Sequence, residues 1–231
     1  MNNSNIPGSA RSSFIRDEWP ILLALIAVSI LYSLLAQALD ELISSPFASS
    51  LIIRLISLTL SGTLVILIVV AWLAKKPRFS FVILIFFNSV VTVYLLSGVF
   101  LLVGSLTKLH GTEAGLILLR DAAVVWVINV LIFAIWFWIL DGGGPSRRGK
   151  DVPSIEKDFL FFQEESSFPG WEHWHPNYND YLILALFNCS TFGPTDVRVL
   201  SRRGKLLVAT QVIISLLTLT MFVARALSLI S

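Results

Sequence analysis

The stretch Asn177-Tyr-Asn-Asp-Tyr-Leu-Ile-Leu-Ala-Leu-Phe-Asn-Cys-Ser-Thr-Phe-Gly-Pro-Thr-Asp196 decides how this chain folds. Its apolar part, Tyr181 to Phe187, falls far short of the about 20 apolar residues a helix needs to cross a bilayer. The chain then breaks into Ser190, Thr191, Phe192, Gly193, Pro194, Thr195 and Asp196, passes the basic cluster Arg202-Arg203-Gly204-Lys205, and enters a long apolar run. Irregular polar backbone is tolerated at membrane depth only where it lines a cavity or is buried in protein. The expectation is an all-α membrane protein with five transmembrane helices. A short re-entrant or interfacial half-helix lies between helices four and five.

Working outward, the whole composition agrees. The chain has 231 residues, of which 55% are hydrophobic and 14% charged, with mean hydropathy +0.80. A soluble domain of this length has no way to hide that much apolar surface, so the class is polytopic membrane protein, in one domain over 1–231. Cys189 is the sole cysteine, which excludes an intramolecular disulfide and a thiolate metal centre.

Residues 1–18 read as a polar tail, and 19–140 as four spans at about 19–39, 51–74, 80–103 and 118–140. Ala36-Gln37-Ala38 resembles a cleavage site, but the first apolar run is too long for a signal peptide and is read as a retained helix. The run Asp141-Gly-Gly-Gly-Pro145 stops the fourth span by glycine followed by proline. Residues 141–178 read as a water-facing cytoplasmic loop, and 179–231 as half-helix, filter-like segment and last span, the span itself at about 206–229.

Orientation follows the placement of basic residues. With the N-terminus inside, only Arg54, Lys108, Arg120 and Arg225 of the 17 lysines and arginines fall in the outer half. Trp19, Trp72, Trp136 and Trp138 then share the inner interface. The N-terminus is expected in the cytoplasm and the C-terminus outside.

Polar residues inside the spans are few. Asn88 and Asn129 are expected to bond as helix–helix glue, and Asp121 and Arg225 to pair at a shared depth near the outer end. Gln211, Ser215 and Thr218 recur on one face of the last span. That stripe reads equally as a pore lining and as close packing. His173 and His175 sit on a Trp/Pro-rich loop and read as interfacial surface rather than metal ligands. No nucleophile-with-base pattern, phosphate loop, cofactor motif or nucleic-acid signature is present, so the chain is not expected to be an enzyme.

A helix entered from Asn177 directs its C-terminal carbonyls into the membrane, where their partial negative charge favours a cation. Ser190, Thr191, Gly193, Pro194 and Thr195 then offer carbonyl and hydroxyl oxygens, and Asp196 adds charge at the mouth. Such parts make a cation filter.

Ser190-Thr-Phe-Gly-Pro-Thr-Asp196 resembles the Thr-Thr-Val-Gly-Tyr-Gly-Asp filter of pore-loop potassium channels, with Thr191, Gly193 and Asp196 matching by position. Pro194 and Thr195 replace the aromatic residue and the second glycine. The whole chain resembles a group of uncharacterised bacterial multi-pass inner-membrane proteins through Trp19-Pro20, Asp141-Gly-Gly-Gly-Pro145, Asp158-Phe-Leu-Phe161, Asp180-Tyr181, Phe187-Asn188, Pro194-Thr-Asp196 and Ala224-Arg225-Ala226. These resemblances imply a bacterial plasma-membrane protein in the lipid bilayer. The first implies a homo-oligomer, a tetramer if a channel, passing a small monovalent cation. The alternative is a non-conducting partner subunit or small-molecule binder.

Overall fold

The computed structural model describes residues 21–33, 77–105, 112–144, 157–165, 169–171, 174–193 and 196–228, with scattered helical positions between 59 and 70. The polar tail, most of 51–74, His173, Pro194 and Thr195 lie outside the described residues. In chain order the elements are α1 (Ile21–Ser33), α2 (Pro77–Ser105), α3 (Thr112–Leu140), β1 (Phe159–Phe161), α4 (Tyr178–Thr191), β2 (Val197–Val199) and α5 (Arg202–Ser228).

Among the described residues, three helices are long and apolar enough to cross a membrane, over Phe81–Gly104, Leu118–Gly143 and Arg202–Ala224. Their parent helices α2, α3 and α5 have 29, 29 and 27 residues. At the helical rise each is about 40 Å long, against about 30 Å of hydrocarbon. Ile21–Ser33, α1, is a shorter apolar helix.

The centre of the molecule is α3. In its most apolar stretch 61% of residues are buried, compared with 28% for α5, so α5 leaves most of its flank uncovered. Val125, Ile128, Ile132, Phe133, Ile135, Phe137 and Ile139 are all essentially inaccessible along α3. The helix stops where the sequence says it should. Gly144 has φ +95°, and a Cβ there would lie 3.0 Å from the Ile139 carbonyl oxygen and from the Phe81 ring, so glycine suits both the backbone and the space.

The half-helix α4 begins with a capping box. The Asn177 side chain accepts the Asn179 N–H at 2.8 Å, and Asp180 Oδ2 accepts the Asn177 N–H at 2.7 Å. Tyr178, Tyr181, Leu184, Ala185, Asn188 and Cys189 form its buried face, at the spacing of one helical side. It ends at Phe192, in the left-handed conformation with φ 61° and ψ 30°.

The described residues are mostly helical, as the all-α expectation has it, with one small sheet in addition. β1 and β2 pair antiparallel, with Phe159 opposite Val199, Leu160 opposite Arg198 and Phe161 opposite Val197. Phe159 and Phe161 are buried, and their rings meet Phe137 and Tyr181. Phe-Leu-Phe and Val-Arg-Val are alternating, β-favouring triplets. Each is too short and too closely flanked by charge to declare itself in a linear reading.

Candidate functional site

Two polar clusters hold the half-helix, one near each end. The first gathers where α3 ends and α5 begins. Asp141 Oδ1 accepts the backbone N–H groups of Asp158 and Phe159 at 2.8 and 3.1 Å, and its Oδ2 accepts the Tyr181 hydroxyl at 2.6 Å. Asp158, itself buried, receives Arg203 through Nε at 2.6 Å and Nη2 at 2.7 Å, one nitrogen to each carboxylate oxygen. That two-pronged geometry is the strong form of an ion pair. The Ser201 hydroxyl also donates to Asp158 Oδ1, and the Leu200 N–H reaches the Asp158 carbonyl at 2.9 Å.

Gly204 makes this close approach feasible. A Cβ there would stand 3.0 Å from Val199 Cγ1 and 3.2 Å from Ser201 Oγ. Its N–H donates to Ser201 Oγ at 2.9 Å, so Ser201 caps α5 while also binding Asp158.

At the start of α4, burial lifts the Asp180 carboxyl above the usual carboxylate range. Backbone N–H groups donating to it hold that rise in check. Among the described residues, no three His, Cys, Asp or Glu side chains gather as a metal-binding group.

The second cluster lies deep along α5. Gln211 Nε2 donates to the Ala185 carbonyl at 3.0 Å and to Cys189 Sγ at 3.2 Å, and Gln211 Oε1 accepts from Asn188 Nδ2 at 3.1 Å. Ser215 Oγ donates to the Cys189 carbonyl at 2.7 Å. Asn129 reaches in from α3, its Nδ2 donating to the Gln211 carbonyl at 3.2 Å. Thr218 is buried on the same face, its hydroxyl bonded back to the Ile214 carbonyl at 2.6 Å. The polar heads of Gln211 and Ser215 are therefore turned onto α4.

This geometry corrects one expectation. The bond between Asn88 and Asn129 does not form: Asn88 Nδ2 donates instead to the Ile132 carbonyl at 3.3 Å, and neither amide oxygen has a partner. Shared depth in a sequence says nothing of the side of the helix a residue faces. The Asp121–Arg225 pair lies outside what is described, because the Arg225 side chain is not among the described atoms. Asp121 is buried, and its Oδ1 accepts from the neighbouring Arg120 Nε at 3.0 Å.

The filter-like segment sits at the tip of α4. Ser190, Thr191 and Phe192 are exposed and Gly193 is half-buried. The Ser190 hydroxyl donates back to the Leu186 carbonyl at 2.8 Å. The Thr191 hydroxyl lies 2.8 Å from the Phe187 carbonyl and 2.9 Å from that of Gly193, with one proton to give. Asp196 is exposed immediately before β2. The tip meets α5 at Ser215, about 20 Å along that helix from Arg202. β2, at 197–199, pairs with β1 beside the Arg202 end of α5.

Sequence reasoning missed the cluster of Asp141, Asp158, Tyr181, Ser201 and Arg203. Asp141 was legible only as part of a helix stop, and Asp158 only as one charge in a charged loop. The available signal was an aspartate immediately before a Phe-Leu-Phe triplet, a buried carboxylate waiting for donors. Comparison with protein-family models, with curated proteins and with solved structures returns no match for the chain.

Proposed function

We propose that the chain is a five-span protein of a bacterial inner membrane, N-terminus in the cytoplasm, whose copies assemble around their half-helix tips to pass a small monovalent cation. The observation that carries this reading is the exposure of Ser190, Thr191 and Phe192 at a level about 20 Å along α5. Exposed polar backbone and hydroxyl groups at that depth are costly against lipid, since each unsatisfied group there costs several kcal/mol. Other copies of the same tip, enclosing water and ions, remove that cost. The C-terminal end of α4 supplies partial negative charge to such an axis, and the uncovered flank of α5 supplies area for subunit contact. The basic residues flanking the loop and the resemblance to inner-membrane proteins support the orientation and the location.

The test is purification in mild detergent and reconstitution into liposomes, with mass determination and cation flux measured on the same sample. A symmetric oligomer with flux that falls on Asp196→Asn is the expected result. A monomer in detergent and in native membranes, with no flux, would sink the proposal.

One observation favours the non-conducting alternative. Gln211 and Ser215 are engaged by α4 instead of facing an open lumen, which is how a packed plug would be held. In that case the tip is covered by a different membrane subunit, and the chain co-purifies with it in fixed ratio.

A further inference from the structure

The basic residues around the foot of α5 divide into two kinds. Arg203 is held on the buried Asp158 carboxylate by two nitrogens, and Arg198 meets Glu165 at 2.9 Å. Arg202 and Lys205 are exposed, and among the described residues neither side chain has an acidic partner. Three positions apart on a helix, they stand side by side on its surface. Just beyond them the same flank turns apolar. Leu206, Ala209, Ile213 and Leu216 follow Arg202 in steps of four, three, four and three, and all are exposed, Leu206 by 69%. That spacing keeps them on one side of the helix.

We propose that Arg202 and Lys205 bind the headgroup of an anionic phospholipid whose acyl chains lie along α5 from Leu206 to Leu216. α5 is long and apolar enough to cross a bilayer, and long basic side chains at the end of such a span reach the headgroup level. Two cations without a carboxylate between them select a headgroup of net negative charge over a zwitterionic one. One leaflet's hydrocarbon is about 15 Å deep, which the helical rise covers with about ten residues, the distance from Leu206 to Leu216. A free anion would use the two charges and leave the flank bare, whereas an anionic phospholipid uses both. The end of the helix itself contributes little, because the Gly204 N–H is already given to Ser201 Oγ. The proposal rests on α5 spanning a bilayer and not on the passage of ions. Chains seated here leave Phe222, Val223 and Leu227, exposed farther along α5, for contact between copies.

The experiment titrates the full chain, purified in mild detergent, with phosphatidylglycerol or with phosphatidylcholine and counts bound lipid by native mass spectrometry. Phosphatidylglycerol is expected to bind about tenfold more tightly or better. Each basic charge beside an anionic headgroup is worth about fivefold in affinity, so Arg202→Gln with Lys205→Gln is expected to weaken phosphatidylglycerol about 25-fold and to leave phosphatidylcholine within about twofold. Both positions are exposed, so the melting temperature of the lipid-free variant is expected within about 2 °C of the parent. The exchange Arg202→Lys with Lys205→Arg keeps both charges and should keep the affinity. Arg198→Gln removes a charge already paired with Glu165 and should change the affinity by less than about twofold. Equal affinity of the parent for the two lipids overturns the proposal. So does a loss in Arg198→Gln as large as that of the double variant, which would mean a general attraction of charge. Inorganic phosphate that displaces phosphatidylglycerol at equal concentration would mean a site for free anions and overturns it too. A parent that carries no ion flux counts against the proposed function and leaves this lipid comparison intact.

Discussion

The Ser215 hydroxyl donates to the Cys189 carbonyl at 2.7 Å, joining the last full-length helix to the final turn of a helix half its length. The last carbonyls of a helix have no partner within it, so this bond satisfies one that α4 would otherwise leave open. Ser215→Ala removes it without changing volume much. The expected cost is about 1 kcal/mol, a fall of roughly 2–4 °C in the melting temperature of detergent-solubilised protein. No shift would show that water replaces the hydroxyl freely.

Gln211 carries more. Its amide serves the Ala185 carbonyl, Cys189 Sγ and Asn188 together. Gln211→Leu is expected to destabilise by about 2–4 kcal/mol, because it leaves buried groups on α4 unpaired. Combining it with Ser215→Ala should cost less than the separate losses added, since both act on the tip of α4. Strict additivity in a thermal or denaturant double-mutant cycle would contradict a shared docking role.

Asp141 and Tyr181 should likewise couple. Tyr181→Phe loses one bond to a buried carboxylate, for about 1–2 kcal/mol, and Asp141→Asn loses at least one acceptor, for about 2–3 kcal/mol. After Asp141→Asn, the further effect of Tyr181→Phe should shrink. Unfolding measurements on the four proteins read this directly.

Burial of the capping-box aspartate predicts a pH effect of definite sign. The Asp180 carboxyl is lifted by burial above its ordinary value of 3.8, so the folded state holds its proton more tightly than the unfolded one. Its contribution to stability therefore falls as pH rises from the ordinary value through the raised one, and is level above that window. In Asp180→Asn this decline disappears, although a box hydrogen bond is weakened. Melting temperature against pH, parent beside variant, shows whether the slopes differ in that direction.

Glycine at the foot of α5 is a steric matter. Gly204→Ala places a methyl 3.0 Å from Val199 Cγ1 and is expected to cost about 1–3 kcal/mol. Gly193→Ala has open space around it and should fall within about 0.5 kcal/mol of the parent. A reversed order in thermal stability would mean that Gly193 packs differently in the assembled protein.

Much of this was legible from residues alone. Long apolar runs announce α2, α3 and α5 because each supplies enough hydrophobic length for a bilayer. An asparagine at 177 or 179 announces the start of α4, and the Gly142–Gly144 run announces the end of α3. Whether the stripe of Gln211, Ser215 and Thr218 faced a lumen or a neighbour was not legible, because helical spacing gives a face and never its partner. The Asn88–Asn129 expectation failed for the same reason. The strand pair was hidden because its two triplets lie 36 positions apart in register, Phe161 opposite Val197, and only the intervening half-helix brings them together.

The docking of α4 also has a consequence for biosynthesis. A 14-residue helix is too short to partition into lipid unaided. The side chains that receive its buried polar edge, Gln211 and Ser215, leave the ribosome after it does. In the proposed arrangement, α4 first packs on α3, made before it, and completes its polar docking only when α5 has been made. A nascent chain stalled before residue 211 would hold this segment through α3 alone, without the bonds from Gln211 and Ser215.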